Sequence, residues 1–304
     1  IRKDLSRRYY SRVSLDQDPS LETSNNLISL TNHGSEFKLK NYILMESEFP
    51  QEEKFQEFIK ITNILAESGL RVAKIYHHDI ASGFILEEDL GNNLFNYYLD
   101  HSAEDEDRLY FAAMDVLLSL ANLEKKHNLG RQDDALLMQG VRQFTSYFCK
   151  DVAKQKYIEQ YFIDGFLKQT AKRNVIILRD FHADNLFWLG NEVALIDYQD
   201  AVYGFAAYDL VSLLQDARRY IAAEKEEEYL SYYLANIEQK EEFKESYKLL
   251  ALQRNLRIYA LFSHAVNVRG LKKYQEYLPN VKKYIARNCA LIGDSKLTQI
   301  IKDL

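Results

Sequence analysis

Residues 178–189 read LRDFHADNLFWL: two carboxylates (Asp180, Asp184), a histidine (His182) and an amide (Asn185) set between apolar runs of strand-like composition. Upstream stands VIIL, at 175–178; downstream, GNE at 190–192 has the composition of a hairpin turn and leads into VALIDY at 193–198. Residues 175–204 therefore read as a β-rich island. Polar side chains are costly in a dry core unless they are paired, so this loop belongs where water, metal or a polar ligand reaches it.

Outward from the island, the chain has two textures. The first ninety residues alternate strand-like text (RRYYSRVSL, NYILME, VAKIYHHD, GFILEEDLG) with one helical stretch, PQEEKFQEFIKITNILAESG. In that stretch Phe55, Phe58, Ile59, Thr62 and Leu65 fall at the spacing of one buried helix face, and Gly69 is placed to end it. From Asn93 onward the text is that of long amphipathic helices, among them about 103–127, about 158–172 and two or more after Ala206, with Pro279 as the last proline. The acidic run EKEEEY at 224–229 reads as a solvated helix face.

At 304 residues and 47% hydrophobic, the chain can build a sizeable core, and this is the size at which single cores give way to two lobes. The expected class is α+β, with a small β-rich lobe carrying one helix over residues 1–90 and a larger helical lobe over 91–304. A net charge of -6 excludes the basic surface of a duplex nucleic-acid binder while leaving room for a local basic pocket. Two isolated cysteines, Cys149 and Cys289, make neither a disulfide framework nor a Cys-rich zinc site, and point to a reducing cytoplasm. No apolar run approaches the roughly 20 residues of a membrane span, so no membrane partner is expected. A monomer is the expected state.

The polar residues of the island suggest a chemistry. Asp180 and Asn185 are five positions apart in a loop after a strand, and Asp197 ends the next apolar run. Two carboxylates and an amide oxygen suit magnesium on polyphosphate oxygens better than zinc, which prefers nitrogen and sulfur. Kinase-type phosphoryl transfer uses this order: an Asp that orients the acceptor hydroxyl, an Asn five positions on and a later strand-end Asp for metal. The plain alternative is that Asp180 and Asn185 cap turns and Asp197 opens a loop. His182 has no second His or Cys at ligand spacing and reads as a core residue that positions the loop. A Ser-His-Asp hydrolase lacks its G-x-S-x-G turn.

With these residues in view, the chain resembles the aminoglycoside phosphotransferase superfamily of protein-kinase-like small-molecule kinases, and within it the branch of anomeric N-acetylmuramate/N-acetylglucosamine kinases. The resemblance is carried by LRDFHADNLFWL, by ALIDYQDAVYGFAAYDLVSLLQDARR (194–219), by GFILEEDLG (83–91), and by SRRYYSRV (6–13) with NYILME (41–46). It implies a bilobal protein-kinase-like fold, ATP and Mg2+ as cofactors, and a small amino sugar as substrate. It further implies Asp180 as catalytic base and Asn185 and Asp197 as metal ligands. The Glu87, Glu88, Asp89 and Leu90 segment would bind adenine through its backbone. Asp209 would stabilise the catalytic region by accepting hydrogen bonds, and Gln199 and Asp200 either face the sugar or cap the loop.

The sequence departs from the family pattern in three places. Leu178 stands where many kinases have a loop histidine, glycine is absent from the first 33 residues, where a phosphate loop is expected, and Met45 occupies the place of the strand lysine. Arg7 or Arg8 could supply the missing positive charge, since a guanidinium forks phosphate well. Lys38 and Lys40 are the other candidates, with Glu52, Glu53 and Glu57 as partners that would orient such a cation. Two rival readings accompany the sugar kinase: a kinase of aminoglycosides or choline-type acceptors, and a pseudokinase-like binding module.

Overall fold

The computed structural model describes residues 8–15, 40–47 and 54–303, apart from 125 and 172. In chain order its principal elements are β1 (Arg8–Leu15), β2 (Lys40–Ser47), α1 (Phe55–Glu67), β3 (Arg71–Val72), β4 (Ile75–Asp79), β5 (Phe84–Glu88) and α2 (Phe95–His101). They continue with α3 (Glu106–Ala121), α4 (Asp134–Phe148), α5 (Val152–Lys168), β6 (Val175–Ile177), β7 (Leu186–Trp188), β8 (Val193–Leu195) and β9 (Val202–Gly204). The C-terminal part is helical: α6 (Ala207–Leu214), α7 (Ala223–Ala235), α8 (Lys240–Asn267), α9 (Leu278–Ile292) and α10 (Ser295–Lys302).

The chain divides into two compact units, one of residues 1–98 with 186–200 and the other of 99–185 with 201–304. The sequence reading drew a single boundary after residue 90. The first unit differs by taking a hairpin from mid-chain: β7 and β8 pair antiparallel, and β8 then pairs parallel with β3, Arg71 opposite Ala194. Alternation along one segment reveals a strand but not its distant partner.

In the first unit, β1, β2, β5 and β4 form an antiparallel sheet in that order. Its register sets which side chains share a face. Arg8 lies opposite Ser47, Tyr10 opposite Met45 and Arg12 opposite Ile43, while Met45 faces Ile85 and Ile43 faces Glu87 across the next ladder. Because side chains alternate along a strand, Arg8, Tyr10, Met45 and Glu87 stand on one face and Lys40 and Tyr42 on the other. Helix α1 buries Phe55, Phe58, Ile61, Thr62, Ile64 and Leu65, with Ile59 half-buried at the edge of the predicted stripe. It ends as the sequence predicts, with Gly69 at φ +80° and the Leu70 N–H closing on the Leu65 carbonyl at 3.0 Å.

The second unit is built around α8, where Gln253, Arg254, Asn255 and Leu256 are all buried in succession, so neighbours cover every side of the helix there. Such a helix must satisfy its own polar side chains. Asn255 donates to Gln215 Oε1 at 2.6 Å and Asn288 to the same oxygen at 2.9 Å. The Glu226 carboxylate accepts from Gln215 at 2.6 Å, from the Tyr247 hydroxyl at 2.8 Å and from Arg287. Asp133 and Asp151 cap α4 and α5 by accepting N–H groups of their first turns. Strands β6 and β9 pair antiparallel, and the loop that leaves β6 carries Asp180. Among the described residues, no helix is long and apolar enough to cross a membrane.

Candidate functional site

In the second unit, the loop after β6 bends at Arg179, whose φ of +75° is left-handed, a conformation costly for a residue with a Cβ. Asp209, almost wholly buried at the start of α6, secures the bend. Its carboxylate accepts the Leu178 N–H at 2.5 Å and the Arg179 N–H at 2.9 Å. Burial pushes the Asp209 carboxyl up to about 7, against the pull of those two donors and of Arg254. The apolar Leu178 thus needs no polar side chain to brace the loop, because Asp209 braces its backbone. This is the role that the family resemblance implies for Asp209.

The Asp180 side chain is exposed, and its carbonyl accepts the Asn185 amide N–H at 2.9 Å. A single turn of tight helix, Ala183–Asn185, carries the chain between them, with the Asn185 N–H bonded to the His182 carbonyl at 2.8 Å. The five-residue spacing therefore closes a loop and at the same time fixes the amide, with its nitrogen on the loop and its oxygen on the other side. His182 is buried with Nε2 3.4 Å from the Asn185 amide nitrogen, and burial lowers its pKa, so it is a neutral loop-positioning residue. Asp184 turns away to Arg218 at 2.7 Å, which also holds Asp216 at 2.9 Å.

In the first unit, Asp197 follows β8 at φ +59°, the second non-glycine residue in the left-handed region among the described residues. Strain of this kind persists where the surroundings impose it. Here Tyr198 is the anchor: it is buried, stacks on Phe58 at 5.4 Å between ring centroids, and shares a 3.0 Å hydrogen bond with Thr62 of α1. Gln199 donates to the Asp197 carboxylate at 2.7 Å, and Asp200 pairs with Lys54 at 2.7 Å.

The same unit places the remaining predicted residues. Arg8 and Glu87 are both buried, on the sheet face that also holds Met45. Burial raises the Glu87 carboxyl to about 7, against the attraction of Arg8. The Tyr10 phenol, hydrogen-bonded by Arg8, is pushed up to about 12 by the protein packed round its hydroxyl and by the charges of Glu87 and Asp197. Arg8, Tyr10, Glu87 and Asp197 thus share one electrostatic neighbourhood. Glu88 is held by Arg71 at 2.6 Å, Asp89 by Arg12 at 2.5 Å, and Leu90 packs with Ala73 and Ala194, so their side chains are spent on structure.

Lys40 lies on the opposite face, over the Tyr42 and Tyr76 rings, and Glu57 pairs with Lys60 of its own helix. Arg7, Lys38, Glu52 and Glu53 lie outside the described residues.

The sequence model of the phosphotransferase enzyme family (APH) matches residues 24–245. The chain belongs to that family. It is a small-molecule kinase, and kinases of this family draw their phosphoryl group from ATP. Among its relatives is an N-acetylmuramate/N-acetylglucosamine kinase of Pseudomonas putida, 29% identical over 264 residues, 81% of this chain and 76% of that one. Among solved structures, a choline/ethanolamine kinase family protein from Mesorhizobium loti matches with a TM-score of 0.61, at 12% identity, over 90% of this chain and 91% of that one. Amicoumacin kinase hAmiN, in complex with AMP-PNP, Ca2+ and Ami, matches with a TM-score of 0.59 at 16% identity, over 81% and 82%. These likenesses establish the protein-kinase-like α+β fold.

Sequence reasoning passed over Arg254. This guanidinium is buried in α8, donates to the Ser212 hydroxyl at 2.6 Å and feels the charge of Asp180. Its signal was present in the text LALQRNLRIYALF (250–262), where a charged residue falls inside an apolar stretch.

Proposed function

We propose that this kinase transfers the γ-phosphoryl group of ATP to the anomeric hydroxyl of N-acetylmuramate or N-acetylglucosamine in the cytoplasm. The observation that carries the reading is the loop 178–185: an exposed Asp180 on a backbone bend clamped by Asp209, with Asn185 tied to the Asp180 carbonyl. The named activity of the Pseudomonas putida relative supports the choice of sugar.

Asp180 is the catalytic residue in this account. Its carboxylate orients the sugar hydroxyl and takes up its proton as the oxygen attacks phosphorus, and the bend at Arg179 fixes the direction in which that carboxylate points. The cation that accompanies ATP would be held by Asn185 and Asp197. One amide oxygen and one carboxylate fit magnesium, which takes hard oxygen donors and completes its shell with phosphate and water. Among the described residues, no group of three or more His, Cys, Asp or Glu side chains forms a metal cage of protein ligands alone. Magnesium, when bound, neutralises charge on the phosphate oxygens.

Gln199 aligns the Asp197 carboxylate from within its own loop. Arg8 is the phosphate-gripping cation in place of the strand lysine, since it is buried on the Met45 face whereas Lys40 is spent on tyrosine rings across the sheet. Backbone groups of Glu87 to Leu90 receive the adenine.

The test is magnesium-dependent ADP release across N-acetylmuramate, N-acetylglucosamine, glucosamine, aminoglycosides and choline. Turnover of the N-acetylated sugars supports the reading. Turnover of cationic acceptors alone leaves the kinase and discards the substrate, and nucleotide binding without turnover of any acceptor leaves a binding module.

A further inference from the structure

A cavity of about 160 Å3 lies wholly within the second unit, lined in part by Gln132, Gly140, Arg179, Tyr208, Gln253 and Arg257. It is smaller than the roughly 300–1,000 Å3 of sites for whole drug-sized ligands, the scale of a subsite for one substituent. Its chemistry is unlike that of the chain around it. The protein carries a net charge of -6, yet two guanidinium groups and no carboxylate line this cavity. Among the described residues, neither arginine is paired with an acid. Arg257 reaches only the Tyr208 hydroxyl, at 3.5 Å.

The packing round the two arginines is close and polar. Gln132 and Gln253 are 2% and 1% exposed, and the amide oxygen of each has no hydrogen-bond partner among the described residues. The Gln253 nitrogen is committed to the Leu137 carbonyl at 2.8 Å, so its oxygen is fixed as the unsatisfied acceptor. Buried acceptors left unpaired are costly, which marks this part of the unit as strained for polar satisfaction; the Gln132 oxygen itself lies toward Gly204 of β9, where a Cβ would stand 2.9 Å from it. Gly140 of α4 lets the Arg257 and Gln253 side chains approach the helix, since a Cβ there would come within 2.9 Å of Arg257 Cδ and Gln253 Nε2. A glycine inside a helix costs about 1 kcal/mol relative to alanine, a cost that close approach of α8 explains.

The cavity also shares its framework with the loop of Asp180. Arg179 immediately precedes Asp180, and Tyr208 immediately precedes Asp209, which clamps that loop. We propose that this cavity is the subsite for a carboxylate-bearing substituent of the acceptor sugar. Arg257 and Arg179 take the carboxylate. Resting on the sugar-kinase reading, this assigns the cavity to the lactyl carboxylate of N-acetylmuramate, a group that N-acetylglucosamine lacks.

The experiment compares kcat/KM for N-acetylmuramate, its methyl ester and N-acetylglucosamine in the wild type, in Arg257→Gln and in Gln143→Glu. Gln143 lines the same cavity from an exposed position on α4, so the second variant adds a repelling charge without disturbing the core. A charge-assisted fork is worth about 10- to 100-fold, so the wild type prefers acid to ester by that factor and both variants erase most of the preference.

An acid-to-ester ratio unchanged in both variants overturns the proposal, provided N-acetylglucosamine is still phosphorylated. If Arg257→Gln fails to fold, Gln143→Glu alone decides. If the wild type phosphorylates neither sugar, the kinase reading of the substrate fails separately. Calorimetric titration with N-acetylmuramate then tests the cavity: binding weakened by Gln143→Glu upholds a carboxylate site, and no binding overturns it.

Discussion

Asp209→Ala removes a side chain that touches no substrate in this account, yet it is expected to disable the enzyme. Its carboxylate accepts two N–H groups, from Leu178 at 2.5 Å and Arg179 at 2.9 Å, in a region where Leu178 is 3% exposed. Each buried donor left without an acceptor costs about 1–3 kcal/mol, which puts the loss at about 2–6 kcal/mol. Against a total stability of about 5–15 kcal/mol this is a large fraction. Asp209→Asn keeps one carbonyl oxygen but turns an NH2 group toward the second N–H, and is expected to lose about half as much. Arg179 is in a left-handed conformation that its own Cβ opposes, so the unclamped bend should relax and carry Asp180 with it. A displacement of about 1 Å in a reacting group costs on the order of 100-fold in rate. Urea denaturation, followed through the midpoint at constant m-value, measures the first effect, and kcat of the folded fraction measures the second. A loss below about 1 kcal/mol together with unchanged kcat would refute the clamp.

Three further outcomes are expected. Asp180→Asn should lower kcat by about 100- to 10,000-fold while leaving the melting temperature nearly unchanged, because the side chain is exposed; steady-state kinetics beside a thermal melt checks both. Arg8→Met should raise the KM for ATP far more than the KM for the sugar, read from initial rates with each substrate varied in turn; equal effects on both would reassign Arg8. Glu87 holds its proton up to about pH 7 when folded, against an ordinary 4.5, so its neutral form contributes stability that is complete below about 4.5 and is lost as pH rises through 7. Glu87→Gln should therefore flatten the fall in stability between about pH 4.5 and 7, by on the order of 3 kcal/mol, measured by denaturation at each pH. Asp209, also raised to about 7, keeps part of the slope in that variant.

Much of this architecture could be read along the chain because its signals are local. Helix α1 shows its apolar stripe and its Gly69 stop, and the island at 175–204 shows short apolar runs broken by a turn. What escaped depends on pairing over distance. Nothing in VALIDY announces that β8 will lie beside β3, some 120 residues earlier, and draw the hairpin into the first unit. Choosing Arg8 over Lys40 required the register of β1 against β2, since a shift of one residue exchanges the two faces. In the catalytic loop, the spacing from Asp180 to Asn185 was visible. The left-handed backbone at Arg179 and Asp197 was not, because neither position carries the glycine that would flag it. The cavity with Arg257, Gln253 and Gln132 was hidden for another reason. Its lining comes from α4, α6, α8 and two loops, and no single segment carries its pattern.

The central claim is that this kinase phosphorylates the anomeric oxygen of an N-acetylated amino sugar. The most direct measurement is phosphorus NMR of the product formed from ATP and N-acetylmuramate, and in parallel from N-acetylglucosamine, with Asp180→Asn as the control. The account predicts a new phosphomonoester signal coupled to the anomeric proton, absent with the variant. A phosphate coupled to any other sugar proton, or no phosphosugar from an enzyme that turns over a cationic alcohol, would contradict it.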